Sequence, residues 1–371
     1  MSDYIVSARK YRPQTFDTVV GQKSITTTLR SAIQNDHLAQ AFLFCGSRGV
    51  GKTTSARILA KTINCENRTD KIEACDQCDS CTSFNTGSSM NIYELDAASN
   101  NSVEDIRSLI EQVRIPPQLG THKVYIIDEV HMLSTAAFNA FLKTLEEPPK
   151  YAIFILATTE KHKIIPTILS RCQIFDFNRI QVKDIAEHLA QIAVKEEITA
   201  DSEALHLIAQ KADGALRDAL SIFDQIVTFA GNNITLQHVL DNLNILDYDY
   251  YFRIAEMADK EDIPGSSLLY NDIIDKGFDG HLFLVGLAGH YRNLLICKDS
   301  RTAQLLEVVE SVQDRYVQQS KDIDNKTLLR AIAILSKADT EYKAAKNQRL
   351  LVEINLMQLC SLKKELEKKN P

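Results

Sequence analysis

At 371 residues the chain is long enough for two or three domains, and its composition is that of an ordinary soluble globular protein. No uninterrupted apolar stretch approaches the ~18 residues that a membrane helix needs. A formal charge of −7 argues against a broadly basic nucleic-acid surface, although summed charge hides any local basic strip.

The N-terminus, Met1-Ser2-Asp3-Tyr4, carries no signal-peptide pattern, so the expectation is a cytoplasmic protein with no membrane role. The apolar run Ala41-Phe42-Leu43-Phe44 reads as a buried strand, and Ser55 to Ala60 reads as a helix. Between them stands Gly46-Ser47-Arg48-Gly49-Val50-Gly51-Lys52-Thr53, which fits G-x-x-x-x-G-K-[ST], the P-loop, in the context the motif requires. Its glycines let backbone N–H groups turn inward around phosphate oxygens, and the helix start adds partial positive charge. The candidate nucleotide ligands are therefore Gly46 to Thr53 with Thr54 beside them. Lys52 is expected at the β- and γ-phosphates and the Thr53 hydroxyl on Mg²⁺.

Four of the eight cysteines fall within seventeen residues: Cys65, Cys75, Cys78 and Cys81. The spacing C-x9-C-x2-C-x2-C suits a tetrahedral thiolate site, with Zn²⁺ as the default ion for four sulfurs. Disulfides do not suit a reducing compartment, two overlapping C-x-x-C copies do not suit a redox pair, and an iron–sulfur cluster remains the alternative. The site reads as structural, since it has no spare ligand position for catalysis and sits on an insertion between the P-loop helix and the next strand. Cys45, Cys172, Cys297 and Cys360 are isolated in apolar or helical surroundings and read as inert thiols.

Val124-Tyr125-Ile126-Ile127-Asp128-Glu129 reads as a central parallel strand that ends in two carboxylates. Asp128 would support Mg²⁺, and Glu129 would polarise the attacking water. A second buried strand, Tyr151 to Ala157, ends in Thr158-Thr159, either of which would sit between the acids and the γ-phosphate. Arg171 precedes the apolar run Gln173 to Phe177, where it is a solvated charge or something more; Arg217 lies in a helical stretch, where a surface ion pair is the plain alternative.

From about Ile180 the pattern is helical. Ile185, Leu189 and Ile192 mark one face of Val182 to Val194, and Asp201 to Ala212 and Leu216 to Ala230 continue a three-helix lid hinged near Asn178. A second helical domain starts near Asn242, its core supplied by Leu268-Leu269, Ile273-Ile274, Leu282 to Val285 and Leu294 to Ile296. A last long helix, Lys326 to Lys368, is expected to break near Lys337-Ala338-Asp339, before the charged end Lys363 to Pro371. The expected domains are 1–178 with the cysteine insertion at 65–81, the lid at 179–242, and a second helical domain, by its pattern a soluble helical bundle, at 243–371.

Together these residues resemble the AAA+ ATPases, and within them the clamp-loader ATPase subunits of the bacterial DNA polymerase III gamma/tau family. The resembling text runs over roughly residues 4 to 230. It includes Ala8 to Phe16, Val20-Gly21-Gln22, the P-loop, the four cysteines, Asp128 to Ser134, Leu145 to Pro149, Ala157 to Glu160, Ser170-Arg171-Cys172 and Gly214 to Ser221. The resemblance implies an AAA+ P-loop parallel sheet with a zinc insertion, an all-α lid and an all-α collar that joins subunits into a ring. It implies that Tyr11, Arg12 and Pro13, with Val20 to Gln22, wrap adenine and ribose. Thr158 or Thr159 matches the first sensor, Arg217 the second, and Arg171 the arginine finger that acts on ATP bound by a neighbour. Phe141 stands where leucine is common and reads as a core packing variant. Some family members are basic where this chain has Asn100 and Ser102, so contact with DNA there falls to backbone N–H groups and Arg107.

The implied function is the ATPase motor subunit of a clamp loader within DNA polymerase III holoenzyme, using ATP, Mg²⁺ and Zn²⁺ in a cytoplasmic, nucleoid-associated setting. Its implied partners are like and delta-type subunits, the sliding clamp and primer–template DNA. Two other readings use the same features. A branch-migration helicase would unwind strands without a clamp, against which Ser170-Arg171-Cys172 and the cysteine cluster argue. A structural ring subunit would lack a complete P-loop or its acids. The resemblance further implies that the chain is a short form, or a truncation of a longer tau-type chain.

Overall fold

The computed structural model describes residues 5–117, 120–243, 246–306 and 308–368. Met1 to Tyr4 and the last three positions of the charged end lie outside the described residues. Two compact units emerge, Met1–Thr199 with Ile208–Thr228, and Ala200–Leu207 with Phe229–Pro371.

The first unit is built on a parallel sheet of five strands: β1 (Ala41–Cys45), β2 (Ile92–Asp96), β3 (Lys123–Asp128), β4 (Ala152–Thr158) and β5 (Gln173–Asp176). Their order is β2-β3-β4-β1-β5, with Leu43 in register between Leu156 and Ile174. Parallel pairing demands crossovers, and helices supply them on both faces. Alternate residues of each strand therefore face different helices. Phe42, Phe44, Ile126 and Ile155 pack with Leu29, Ala56 and Ile63 from the helices Lys23–Gln34 and Lys52–Ile63. Leu43, Tyr125, Phe154 and Leu156 pack with Ile106, Phe138 and Phe141 from Val103–Val113 and Thr135–Glu146. Phe141 is fully buried and meets Phe154 edge to face at 5.2 Å, a core position in which ring geometry adds to area burial.

The strand order has a functional consequence. β4 lies between β1, which leads into the P-loop, and β3, which ends in the acids, so its tip stands between them. The edge strand β2 is not apparent in the sequence. Its Ile-Tyr-Glu-Leu-Asp is only half buried and lacks the continuous apolar run of the central strands.

In the helical region the predicted stripe Ile185, Leu189 and Ile192 is buried on Val182–Lys195. Helices Ser202–Lys211 and Leu216–Ala230 follow as predicted. In the second unit, helices Tyr248–Asp259, Ile263–Asp275, Gly280–Ile296, Glu310–Asp322, Asn325–Tyr342 and Gln348–Lys368 enclose one core, with Leu269, Ile273, Leu287, Leu294, Leu328 and Leu335 among its members. Two expectations are corrected here. Leu268, Leu282 and Val285 are exposed, because consecutive residues on a helix point about 100° apart and cannot all face one core. The break in the last long helix falls at 343–347, not at Lys337–Asp339. Ala331, Leu335, Ala338 and Tyr342 form one buried stripe that carries the helix through the expected break. Asn347, whose side chain accepts the Leu350 N–H at 3.0 Å, starts the next helix.

Candidate nucleotide site

At the carboxyl end of β1 the chain turns sharply. A Cβ at Gly46 would lie 2.5 Å from the Phe177 carbonyl oxygen, so only glycine fits. Gly49, at φ +78°, passes under the start of helix Leu216–Ala230, where a Cβ would lie 3.0 Å from that of Ala215 and 3.4 Å from that of Arg217. Gly51 then caps the helix Lys52–Ile63. Lys52 is nearly buried and folds back on the loop, donating to the carbonyls of Gly46 and Ser47 at 2.8 and 2.9 Å. Burial lowers its pKa against the opposing pull of Glu129 and Asp128.

The acids of β3 reach the same place. The Thr53 hydroxyl donates to Asp128 Oδ2 at 2.7 Å, and Asp128 Oδ1 accepts the Glu129 N–H at 2.9 Å. Glu129 sits at φ +48°, a left-handed conformation that costs a non-glycine residue about 1–3 kcal/mol and that concentrates at functional sites. Its Oε2 accepts both the N–H and the hydroxyl of Thr159, at 3.1 and 2.9 Å. Thr158, by contrast, is fully buried; its hydroxyl accepts the Glu160 N–H and lies 3.0 Å from His131 Nδ1. His131 Nε2 is in turn 3.1 Å from Glu160. Sequence reasoning gave no role to His131 or Glu160. His131 lies in the short 3-10 turn that follows the acids, and a histidine placed there is the signal that was available.

A cleft of about 760 Å³ gathers Tyr11, Arg12, Val20, the loop from Arg48 to Thr54, Asp128, Glu129 and Arg217. Gly46 and Ser47, whose carbonyls hold Lys52, do not line the cleft. Tyr11 is anchored through its hydroxyl to Glu196. The Arg12 guanidinium has its pKa lowered by burial and by the nearby positive charges of Arg57 and Arg217. Among the described residues Arg217 has no ion pair. The cleft is therefore a concave site lined by the guanidinium groups of Arg9, Arg12, Arg48 and Arg217 and by the carboxylates of Asp96, Asp128 and Glu129, suited to a polyphosphate with a divalent cation.

Thr158, Thr159 and Arg171 do not line the cleft, although Thr159 holds the carboxylate of Glu129, which does. Arg171 is surface-held, donating to Glu146 at 2.7 Å and to the Thr167 carbonyl at 2.8 Å. Ser102 caps helix Val103–Val113, exchanging hydrogen bonds with Asp105, while Asn100 donates to the Asp96 carbonyl at 3.0 Å.

The four clustered cysteines have sulfurs all within 4.8 Å of one another. A tetrahedral ion with Zn–S near 2.3 Å holds its sulfurs roughly 3.8 Å apart, so the donor set fits such an ion. Cys65 Sγ accepts the Cys75 N–H at 3.2 Å, and Cys75 Sγ accepts those of Gln77 and Cys78 at 3.5 and 3.3 Å. The N–H groups of Gln77 and Cys78 bring the Cys75 thiol down to about 6, whereas burial pushes Cys65 and Cys81 up. Of the isolated cysteines, Cys45, Cys297 and Cys360 are buried and Cys172 half-buried; burial raises Cys45 to about 11 and Cys172 to about 12.

Comparison with known proteins gives three adjoining family matches. Residues 21–181 match the DNA polymerase III delta subunit, 184–232 the ATPase lid domain of the DNA polymerase III clamp loader subunit, and 234–370 domain III of the DNA polymerase III subunits gamma and tau. The chain is 34% identical to the DNA polymerase III subunit gamma of Buchnera aphidicola subsp. Acyrthosiphon pisum, over 97% of its own length and 99% of that protein's. It is 39% identical to the subunit tau of Bacillus subtilis over 95% of its length, and 42% identical to that of Escherichia coli over 77%. It spans only 62% and 44% of those two tau chains. Among solved structures, the branch-migration motor RuvB of Thermotoga maritima is similar at a TM-score of 0.48 and 20% identity, over 67% of this chain and 78% of that one.

Proposed function

The chain belongs to the gamma/tau family of DNA polymerase III clamp-loader subunits, and on that footing we propose that it is an ATPase motor subunit of a clamp loader. The observation that carries this reading is the meeting of P-loop, paired acids and Arg217 at one cleft. ATP would enter with its phosphates at the N–H groups of the loop and of the helix start at Lys52. Lys52 would exchange the Gly46 and Ser47 carbonyls for phosphate oxygens. Thr53 and Asp128 would hold Mg²⁺, which neutralises phosphate charge. Glu129 would accept a proton from the attacking water, and Thr159, which already holds its carboxylate, serves the first-sensor role better than Thr158. Arg217 would touch the γ-phosphate, and Tyr11, Arg12 and Val20 would flank the nucleoside. Arg171, outside its own chain's cleft, would act on a neighbour's.

The proposed organisation is nucleotide-binding domain 1–178, lid 179–242 and collar 243–371. The proposed partners are like and delta-type subunits in a ring, the sliding clamp and primer–template DNA, in the cytoplasm at the nucleoid. Cys65, Cys75, Cys78 and Cys81 would hold one structural Zn²⁺. Elemental analysis is expected to find one zinc per chain; a well-folded metal-free protein, or iron with sulfide, contradicts that assignment.

Nucleotide titration tests the cleft itself. Lys52→Ala removes a charge-assisted contact worth about 1.5–3 kcal/mol, so ATP affinity should fall on the order of 10- to 100-fold. Unchanged affinity would move the phosphates elsewhere.

A further inference from the structure

Between Cys65 and Cys75 lies a carboxylate that neither the metal site nor the cleft explains. Glu73 is 5% exposed, and a buried carboxylate is costly unless well partnered. Its partners are specific. Oε2 accepts the Phe16 N–H at 3.0 Å, and Oε1 accepts the Asp17 N–H at 3.0 Å. The Arg30 guanidinium completes the set at Oε1 and pairs with Asp17 as well. Phe16 and Asp17 open the short 3-10 turn Phe16–Thr18, whose first N–H groups have no partner within the turn.

That turn leads straight into the cleft. Val19 and Val20 line it, and Val19 Cγ1 lies 3.9 Å from the place a Cβ on Gly51 would occupy. The same loop also grips the far end of the P-loop helix. Arg68 donates to the carbonyls of Thr62 and Ile63 at 2.9 and 2.8 Å, and buried Lys61 pairs with Asp76 at 2.6 Å. Only Ala74 separates Glu73 from Cys75, so the backbone of Glu73 is placed by the cysteine cluster.

We propose that Glu73 is a positioning residue for the nucleotide cleft, tying the nucleoside-side wall at Val19 and Val20 to the folded cysteine loop, so that nucleotide affinity depends on the metal held there. The proposal rests on the reading of the cleft as an ATP site and of the cysteines as a zinc site. Glu73 touches neither the phosphate loop nor the acids, so its effect falls on binding and not on the hydrolytic step. The cysteine insertion is then coupled to the nucleotide through a carboxylate instead of standing apart as a local staple.

The test uses the full chain and three readouts: zinc content, ADP affinity by calorimetry, and turnover at saturating ATP. Glu73→Ala should keep its zinc, bind ADP roughly 5- to 150-fold more weakly, the ordinary range for coupling between two sites, and retain its saturated turnover. Glu73→Gln keeps an acceptor oxygen and should fall between. Chelating the metal should weaken ADP binding by the unaltered chain by a similar factor, and should weaken Glu73→Ala no further. If Glu73→Ala loses zinc or unfolds, Glu73→Gln and the chelated unaltered chain decide. Equal ADP affinity in Glu73→Gln and the unaltered chain, or an affinity indifferent to chelation, overturns the proposal while the cleft reading stands. An unaltered chain that binds no ADP overturns both.

Discussion

Arg171→Ala protein should bind ATP as the unaltered chain does and lose its stimulated turnover, by roughly 10³–10⁵-fold if its guanidinium acts as arginine fingers do in GTPases. The expectation follows from where the residue lies. The cleft is formed without Arg171, so removing it leaves the binding groups in place. Arg171 is held instead by Glu146 at the surface, with its side chain 34% exposed. Such a pair is worth about 0–1 kcal/mol, so releasing the guanidinium to a neighbouring subunit costs little against the catalytic gain. Mixing Arg171→Ala with Lys52→Ala chains should restore part of the turnover, because at some interfaces the Lys52→Ala chain presents an intact arginine to an intact P-loop. Sedimentation of the mixed rings checks that assembly is normal. Normal assembly with no recovery on mixing would assign Arg171 a role within its own chain.

Glu129→Gln should keep nucleotide binding and lose hydrolysis by roughly 10²–10⁴-fold, the usual contribution of a positioned general base. The substitution is well matched to the local structure. A glutamine carbonyl can still accept the Thr159 N–H and hydroxyl, so the left-handed turn at this position retains its partners. What disappears is the ability to take a proton. Single-turnover hydrolysis and equilibrium titration, measured on the same preparation, separate the two effects. Hydrolysis at the unaltered rate would remove Glu129 from the mechanism and leave its strained backbone without an account.

The contrast between what sequence reveals and what it hides is physical. The central strands β1, β3 and β4 are legible because burial on both faces demands unbroken apolar runs, whereas β2, half buried at the edge, alternates with Glu94 and Asp96 and reads as nothing in particular. The P-loop, Asp128 and Glu129 are legible because their function needs fixed local spacing. Arg217 and Tyr11 reach the cleft from distant parts of the chain, and only the family resemblance gives them a role there. The distinction between Thr158 and Thr159 depends on which side of the strand end each faces, and neighbouring identical residues carry no signal for that. Glu73 was invisible for a similar reason: its partners Phe16, Asp17 and Arg30 are 57, 56 and 43 positions away, and nothing local marks a carboxylate that caps a remote turn.

The central claim, that this cleft drives a clamp loader, is tested most directly by ATP turnover of the assembled complex with and without the sliding clamp and primed DNA. The account predicts slow turnover by the chain alone and strong stimulation only when like and delta-type subunits, clamp and primed DNA are all present. Full turnover on DNA without the clamp, accompanied by strand unwinding, would contradict it and point to a different DNA motor.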